Sequence, residues 1–473
     1  MTATRADGAA PLPPAPPGSW EPLIRLARFA RRPLDRFLKI EAASGILLLL
    51  AAAVALVWAN SPWAGSYREL WHLSLGVKLG PWSFERSLDW VVNDGLMVIF
   101  FFVVGLEIRR ELHHGELSSP RRAALPAIAA LGGMVAPALL YLTIAGAPAT
   151  RSGWGVPMAT DIAFAVGILT LLGRRVPASL RVLLLALAVI DDLGAIIVIA
   201  VFYSSGVSIA GFVVAALGIG WILAMQGVGV RTKLAYVVPA LVVWGGTYAA
   251  GVHPTIAGVI VGLLTPVRAW LGSEGFAESV GRELESLGQT SPATVSSHDL
   301  AQRLRRVDLA RREAMSPAES LIESLHPWVA FGVMPIFALA NAGVSLGDLT
   351  LGPESTRAAL GTAIGLVLGK PVGVLLSVAL ALKLGVAVLP SGLTWRHLTV
   401  LGVVAGIGFT MALFIAQLAF AQPTLLVGAK LGILGASAVA AIGGLLLGRL
   451  MLKPPQGAAA ERSADEAEAA LST

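Results

Sequence analysis

Carboxylates lie inside long apolar runs of this chain. Asp161 is in "PMATDIAFAVGILTLL", and Asp191 and Asp192 are adjacent in "LLLALAVIDDLGAIIVIAVF". A charged carboxylate in hydrocarbon costs roughly 2.5–3.5 kcal/mol on insertion scales unless it is paired or hydrated. Lys370 lies in an equally apolar run, "GTAIGLVLGKPVGVLLSVAL". Three buried acids and one buried base are the groups that a protein handling protons and cations inside a membrane needs.

The composition shows why these charges are unusual. Apolar residues make up 56% of the chain and charged residues only 14%, against about 25% charged in a typical soluble domain. Charge-poor runs of about 20 residues, the length that crosses a bilayer, recur throughout. We predict an all-α integral membrane protein with twelve transmembrane helices. The predicted spans are 44–60, 88–106, 124–145, 154–172, 182–203, 208–226, 234–250, 252–267, 327–343, 359–382, 397–420 and 427–452.

Lys and Arg residues fall almost entirely on one side of this topology. Of the 35, 28 lie on one side and 6 on the other, and Lys370 lies within a span. Positive residues mark the cytoplasmic side, so we predict that both termini are cytoplasmic. Because the basic residues cluster at helix ends, the net charge of +6 does not indicate a nucleic-acid partner.

Composition also excludes several kinds of site. The chain has no cysteine, which excludes disulfides and thiolate metal sites. Its seven histidines are scattered without the spacing of metal ligands. We therefore predict no cofactor.

The sequence divides into three parts. Residues 1–43 form a predicted cytoplasmic extension that ends in a basic amphipathic segment on the inner leaflet. Residues 44–452 form the membrane domain, with a long, partly helical cytoplasmic loop at 268–318, and 453–473 form a polar cytoplasmic tail. In the extracytoplasmic loop at 72–85, "HLSLGVKLGPWSF" predicts a β-hairpin. Because an isolated hairpin is marginally stable in water, we predict that it docks against a second copy in a homodimer.

The two adjacent aspartates cannot serve the same surface. Neighbouring residues of an α-helix point about 100° apart, so one carboxylate can face a water-filled cavity while the other faces a packed neighbour such as Lys370. Carboxylate oxygens are ligands for small hard cations. A proton and a cation would compete for the same oxygens. Competition at one site that opens to one side at a time is sufficient for exchange.

Two spans contain signals of interrupted helices. Pro157 and Thr160 come just before Asp161, and "VAGIGFTMALF" contains Gly406, Gly408 and Thr410. Broken helices at corresponding positions of two inverted repeats are typical of a transporter site at the midplane. For Asp161 alone, capping an interrupted helix is an alternative role, because broken helices expose backbone groups and partial charges.

The chain resembles the NhaA-type family of bacterial sodium/proton antiporters. The matching stretches include "NDGLMVIFFFVVGLEIRREL", "PMATDIAFAVGILTLLGRRVP", "LALAVIDDLGAIIVIAVFY", "GVHPTIAGVIVG", "GLVLGKPVGV" and "GIGFTMALFIAQLAF", and they extend over roughly 44–266 and 320–450. The resemblance implies an NhaA-like fold with inverted-topology repeats, two crossing discontinuous helices and a location in the inner membrane. It also implies electrogenic export of Na⁺, or alternatively Li⁺, in exchange for a larger number of inward-moving protons.

The resemblance also implies roles for single residues. Asp192 matches the main cation-binding carboxylate, and Asp191 matches a proton-binding neighbour that pairs with the lysine matched by Lys370. The supporting residues in the two unwound segments are Thr160, Asp161, Gly406, Gly408 and Thr410. Asp94 matches an acid of the ion path. Glu107 and His253 match residues of the pH response.

This sequence departs from the family pattern where pH regulation is concerned. Ile322 stands where the resemblance leads us to expect a regulatory glutamate just before "LHPW", although Glu319 and Glu323 are near. Pro254 follows His253 where a small residue is expected, and the 268–318 loop is long. For His253, an ordinary place at a helix end is an alternative to pH sensing.

Other functions remain as alternatives. Intramembrane charges can serve only to hold helices together. A passive cation channel would use the carboxylates, but Lys370 among them would repel cations in an open pore. An intramembrane aspartyl-type hydrolase needs two aspartates that meet across helices, and adjacent side chains diverge. Exchange of another monovalent cation for protons is the fourth alternative.

Overall fold

A computed structural model describes residues 41–80, 82–204, 206, 208–288, 296–347 and 352–452. The predicted tail at 453–473 lies outside these residues, as does the predicted N-terminal extension apart from 41–43. The described part is mostly helical, with one two-stranded sheet. Eight helices are long and apolar enough to cross a membrane, or up to ten if each of two bent helix pairs is counted as one span.

A helical segment lies at each of the twelve predicted spans. In chain order the helices are α1 (Glu41–Ala59), α2 (Ala64–His72), α3 (Leu88–His114), α4 (Pro120–Ala145), α5 (Ile162–Leu171), α6 (Ala178–Phe202), α7 (Ile209–Gly227), α8 (Val237–Ala249), α9 (Thr255–Leu264), α10 (Gly272–Gly288), α11 (Ser297–Ala314), α12 (Pro317–Asn341), α13 (Pro353–Lys383), α14 (Trp395–Ala405), α15 (Phe409–Ala419) and α16 (Pro423–Met451). Short 3₁₀ segments occupy Glu116–Ser118, Arg151–Met158, Gly173–Arg175 and Lys233–Tyr236.

Two of the predicted spans, 234–250 and 252–267, contain helices that are too short to cross a membrane alone. α8 has 13 residues and α9 has 10, which corresponds to about 20 and 15 Å of helix. The hydrocarbon core is about 30 Å thick. α9 begins after Pro254. It ends before Pro266, because the residue ahead of a proline is driven out of the helical region, and Thr265 is extended, with ψ of 132°. The number of twelve crossings therefore stays a prediction.

Two helical runs are interrupted in their middle. The 3₁₀ segment Arg151–Met158 contains Pro157 and gives way to extended backbone before α5 begins. α14 and α15 are bent by 44° where the chain passes through Gly406 to Gly408. Both interruptions fall where the proline and glycine residues predicted them.

Three helices also contain a wide π-helical turn. These turns are Val91–Leu96 in α3, Val329–Val333 in α12 and Gly365–Gly369 in α13. In the last two, a proline follows within two residues of the turn, at Pro335 and Pro371, and it removes a backbone N–H donor from the regular ladder. Such turns are frequent at functional sites, and the first one carries Asp94.

Glycines bring the membrane helices into backbone contact. A Cβ atom added to Gly373 of α13 would lie 2.1 Å from the carbonyl oxygen of Gly132 in α4. Small residues at such contacts are typical of helix packing in membranes. α15 is largely buried by its neighbours, and Phe409, Leu413 and Ala416 are each at most 2% exposed.

The predicted hairpin and loop helices are present. β1 (Ser74–Leu79) pairs antiparallel with β2 (Trp82–Ser87), with Ser74 opposite Ser87 and Leu79 opposite Trp82. Gly80 has φ of +61°, a conformation that glycine adopts without steric cost. The loop at 268–318 contains α10 and α11.

Candidate ion-binding site

The two interrupted helices meet at their breaks. The backbone N–H of Asp161 donates to the carbonyl oxygen of Ile407 over 2.7 Å. The hydroxyl of Thr160 donates to the carbonyl oxygen of Ala405 over 3.0 Å. Backbone groups freed by a break in a membrane must find partners inside the protein. Each break supplies partners for the other.

Asp161 caps the first turn of both downstream helices. Its Oδ1 accepts from the backbone N–H of Phe164 in α5 at 3.0 Å, and its Oδ2 accepts from the backbone N–H of Thr410 in α15 at 3.1 Å. The Thr410 hydroxyl also donates to Oδ2. Helix N-termini carry partial positive charge, so one carboxylate, 1% exposed, offsets two of them. The capping role considered for Asp161 is therefore present in the structure.

Asp191 is paired with Lys370. The Lys370 Nζ lies 2.5 Å from Asp191 Oδ2, and both side chains are fully buried. Thr160 donates to the same oxygen over 2.7 Å. Lys370 also donates to the carbonyl oxygen of Met158 at the end of the interrupted 3₁₀ segment. This lysine therefore joins the carboxylate pair to the first break.

Asp192 points away from that pair, as adjacent helical residues must. It is 1% exposed, and neither of its carboxylate oxygens has a hydrogen-bond partner among the described residues. The charged groups near enough to act on it are Asp191, Glu107, Asp161 and Lys370. A buried charge without partners is strongly unfavourable. The chemistry of this carboxylate therefore suits a proton or a small cation that uses both oxygens.

Two glycines permit the close approach at the second break. A Cβ atom on Gly406 would lie 2.6 Å from the carbonyl oxygen of Leu366, and one on Gly408 would lie 3.2 Å from the carbonyl oxygen of Ala159. A larger residue at Gly406 would push against α13, and one at Gly408 would push against the first break.

Of the predicted ion-path and pH residues, Asp94 and His253 lie together, whereas Glu107 is near enough to Asp192 to act on it electrostatically. His253 Nε2 is 3.4 Å from Asp94 Oδ1, and His253 Nδ1 is 2.9 Å from the Thr255 hydroxyl. Glu107 lies 13 residues farther along α3 than Asp94, which is about 20 Å of helix. Asp94 and Glu107 are thus near opposite ends of one helix. The structure brings Asp94 to His253 but brings neither of them to Asp192.

Sequence reasoning missed the backbone part of the site. The carbonyls of Met158, Ala405 and Ile407 hold Lys370, Thr160 and Asp161. Every residue has a carbonyl, so only the predicted breaks could have signalled them. The acids near the missing regulatory glutamate are also accounted for in part, because Glu319 forms a capping box with Ser316 at the start of α12.

The helices and the site define a multi-pass membrane protein in which two interrupted helices enclose a carboxylate pair and a lysine. The chain belongs to the Na⁺/H⁺ antiporter 1 family, which matches residues 35–447. It is 66% identical to Na(+)/H(+) antiporter NhaA 2 of Myxococcus xanthus strain DK1622, over 99% of both chains. It is 56% identical to Na(+)/H(+) antiporter NhaA 2 of Sorangium cellulosum strain So ce56, over 98% of this chain and 99% of that one. Identity to Na(+)/H(+) antiporter NhaA of Janthinobacterium sp. strain Marseille is 49%, over 95% of this chain and all of the other.

Proposed function

We propose that this protein exports Na⁺, or alternatively Li⁺, in electrogenic exchange for inward-moving protons. The observation that carries the proposal is Asp192, whose two buried oxygens have no hydrogen-bond partner among the described residues. They lie beside a Lys370–Asp191 ion pair where two broken helices meet. Membership of the Na⁺/H⁺ antiporter 1 family and relatives named as Na⁺/H⁺ antiporters support the same activity.

In this proposal the two aspartates have different tasks. Asp192 binds either a proton or Na⁺, because hard carboxylate oxygens suit both. Asp191 provides a second proton site, and while it is charged it is held by Lys370. Protonation of Asp191 would end that ion pair. Because Lys370 also donates to the carbonyl oxygen of Met158, proton binding would then affect the interrupted helix. Two proton sites and one cation site give a net movement of charge in each cycle.

The arrangement in the membrane belongs to the same proposal. We infer an inner-membrane protein with twelve crossings, inverted repeats, crossing broken helices and both termini in the cytoplasm. Leu217, Leu376 and Leu446 are among many exposed apolar residues of the long helices, as contact with lipid requires. The hairpin at 72–85 is a two-stranded sheet in the described chain, and we propose that it pairs with a second copy in a homodimer.

The remaining predicted residues have places along the ion path. Asp94 lies at the end of α3 that the charge distribution places outside, and it contacts His253. Glu107 lies at the cytoplasmic end and acts electrostatically on Asp192. We propose that Glu107 and His253 shift the pH response and that Asp94 receives the outgoing cation.

Sodium-driven proton movement in liposomes tests the proposed function. With purified protein and a sodium gradient, we expect protons to move in the direction opposite to sodium. Sodium leaving the liposomes should therefore lower the internal pH, and sodium entering them should raise it. Because the exchange moves net charge, a potassium–valinomycin diffusion potential should change its rate. A passive channel would carry sodium without driving protons, and that result would contradict the proposal. Replacing the sodium gradient with a potassium gradient tests the alternative that the protein exchanges another monovalent cation for protons.

A further inference from the structure

One face of α15 leads outward from the carboxylates. Thr410, Phe414 and Gln417 are spaced four and three residues apart, so they share one side of the helix. Thr410 donates to Asp161, which places the inner end of this face at the site. Phe414 lies about one turn farther and Gln417 about one turn beyond that. The face runs toward the end of α15 that the charge distribution places outside.

Aromatic contacts close this face one turn above the site. Phe414 is 1% exposed. Its ring centre lies 5.3 Å from that of Phe101 in α3, 6.2 Å from that of Phe337 in α12 and 5.4 Å from that of His253 ahead of α9. These contacts form a seam between α15, the helices α3 and α12, and the segment ahead of α9.

A chain of amide hydrogen bonds crosses the seam at the next turn. Gln417 Nε2 donates to Asn341 Oδ1. Asn341 Nδ2 donates to Asn93 Oδ1 over 2.8 Å and to the carbonyl oxygen of Phe337 over 3.0 Å. Asn341 is 2% exposed, and its amide thus uses both hydrogens and its oxygen. These hydrogen bonds hold α15 against α12 and α3 in one arrangement.

We propose that Gln417, Asn341 and Asn93 form an extracytoplasmic latch that keeps the path from Asp192 outward past Asp94 closed until the protein opens to release the cation. Asn93 is adjacent to Asp94 in the π-helical turn of α3. The latch therefore lies at the level of the acid of the outer path, one turn of α15 beyond the aromatic seam. Gln417 acts as a positioning residue, because it holds α15 against α12 and does not touch the carboxylates.

The latch rests on the proposed exchange function, because only alternating access requires this seam to open. In one state a cation must pass from Asp192 past Asp94 to the outside, and the Phe414 and Gln417 contacts lie across that route. A packed seam changes between discrete arrangements and does not deform continuously. Breaking the Gln417–Asn341 bond is therefore part of opening, and weakening it favours the open state.

Labelling of an introduced cysteine measures this opening directly. The chain has no cysteine, so Ala338→Cys gives a single thiol. Ala338 is fully buried on the stripe of α12 that also carries Phe337 and Asn341. A charged, membrane-impermeant thiol reagent is added to right-side-out vesicles. Loss of one hydrogen bond shifts the opening equilibrium, so we expect Gln417→Leu to raise the labelling rate by roughly five- to tenfold.

The matched control removes a hydrogen bond to the same helix from its other side. Ser437 of α16 accepts from the backbone N–H of Phe409 over 3.1 Å. Ser437→Ala should alter thermal stability but leave labelling of the introduced thiol within about twofold of its parent, because this bond does not cross the seam. Asn93→Ala, at the outer end of the latch, should also accelerate labelling.

The outcomes separate the latch from the exchange activity. Unchanged labelling in both Gln417→Leu and Asn93→Ala would overturn the latch, as would an equal increase in Ser437→Ala. Labelling needs no transport. Failure of sodium-driven proton flux would therefore contradict the proposed function without changing the labelling comparison.

Discussion

Asp192→Asn is expected to abolish sodium-driven proton movement while leaving a folded protein. The amide keeps the shape of the carboxylate but cannot bind and release a proton, and it offers a neutral oxygen where the carboxylate offers two charged ones. In reconstituted liposomes the sodium-dependent pH signal should fall to that of protein-free vesicles. Because neither Asp192 oxygen accepts a hydrogen bond among the described residues, the substitution removes no such bond. The melting temperature should not fall.

An acid in the loop at 268–318 provides the control for the same chemical change. Asp308 in α11 pairs with Arg311 and Arg312 at the surface. Asp308→Asn should leave the transport signal at the wild-type level, because this acid lies outside the predicted membrane spans and exposed ion pairs contribute little to stability. Full exchange by well-folded Asp192→Asn protein would show that another group binds the cation.

Lys370→Ala is expected to produce the largest loss of stability. Removal of one partner from a buried ion pair typically costs about 3–5 kcal/mol, because the other charge is left uncompensated. Here the loss also leaves the Met158 carbonyl without its lysine donor. The free energy of unfolding, or the melting temperature in detergent, should fall strongly. Lys383→Ala, at an exposed position of the same helix, should change stability by about 0.5 kcal/mol or less.

A double-mutant cycle separates the ion pair from the backbone contact. Asp191→Asn made together with Lys370→Ala should recover part of the lost stability, with a coupling on the order of 1–3 kcal/mol. Recovery should be incomplete because the Met158 carbonyl remains unpaired in the double variant. Strictly additive effects in melting temperature would rule out the Lys370–Asp191 pairing.

The charged residues of the site could be predicted because their signals are local. Asp191, Asp192 and Lys370 are conspicuous in apolar runs, since charges in hydrocarbon are costly. The breaks at Pro157 and at Gly406 could likewise be predicted, because these residue types interrupt helices. A reader of the sequence needs no tertiary contact to notice either feature. Their meeting at one point followed only from the resemblance and from the structure.

The contacts that the sequence did not reveal are long-range ones. Lys370 and Met158 are 212 residues apart, and Gln417 and Asn341 are 76 apart. No local period or spacing encodes such pairs, because tertiary packing chooses which carbonyl or amide comes within reach. The amides of Gln417, Asn341 and Asn93 carry no charge, so the sequence does not mark them as it marks the buried carboxylates. Their importance depends on the helices that they join.

Hydropathy predicts the apolar runs of this chain better than it predicts the lengths of their helices. The runs at 234–250 and 252–267 are apolar enough for membrane spans, yet α8 and α9 are shorter than these runs. Gly251 has φ of +78°, which lies in the left-handed region and ends the helical path. Hydropathy averages over such residues, so it records the apolar length and not the helical length.

Apparent sodium affinity measured across pH tests most directly the claim that protons and sodium compete for the same carboxylates. At acid pH protons occupy the pair and sodium finds no charged ligand, so affinity should improve as pH rises. Displacement of one proton per sodium ion gives up to about tenfold per pH unit. His253→Ala, which removes the contact with Asp94, should shift this curve without abolishing it. Affinity that does not change with pH in the wild-type protein, or pH dependence that disappears in His253→Ala, would contradict competition at Asp191 and Asp192.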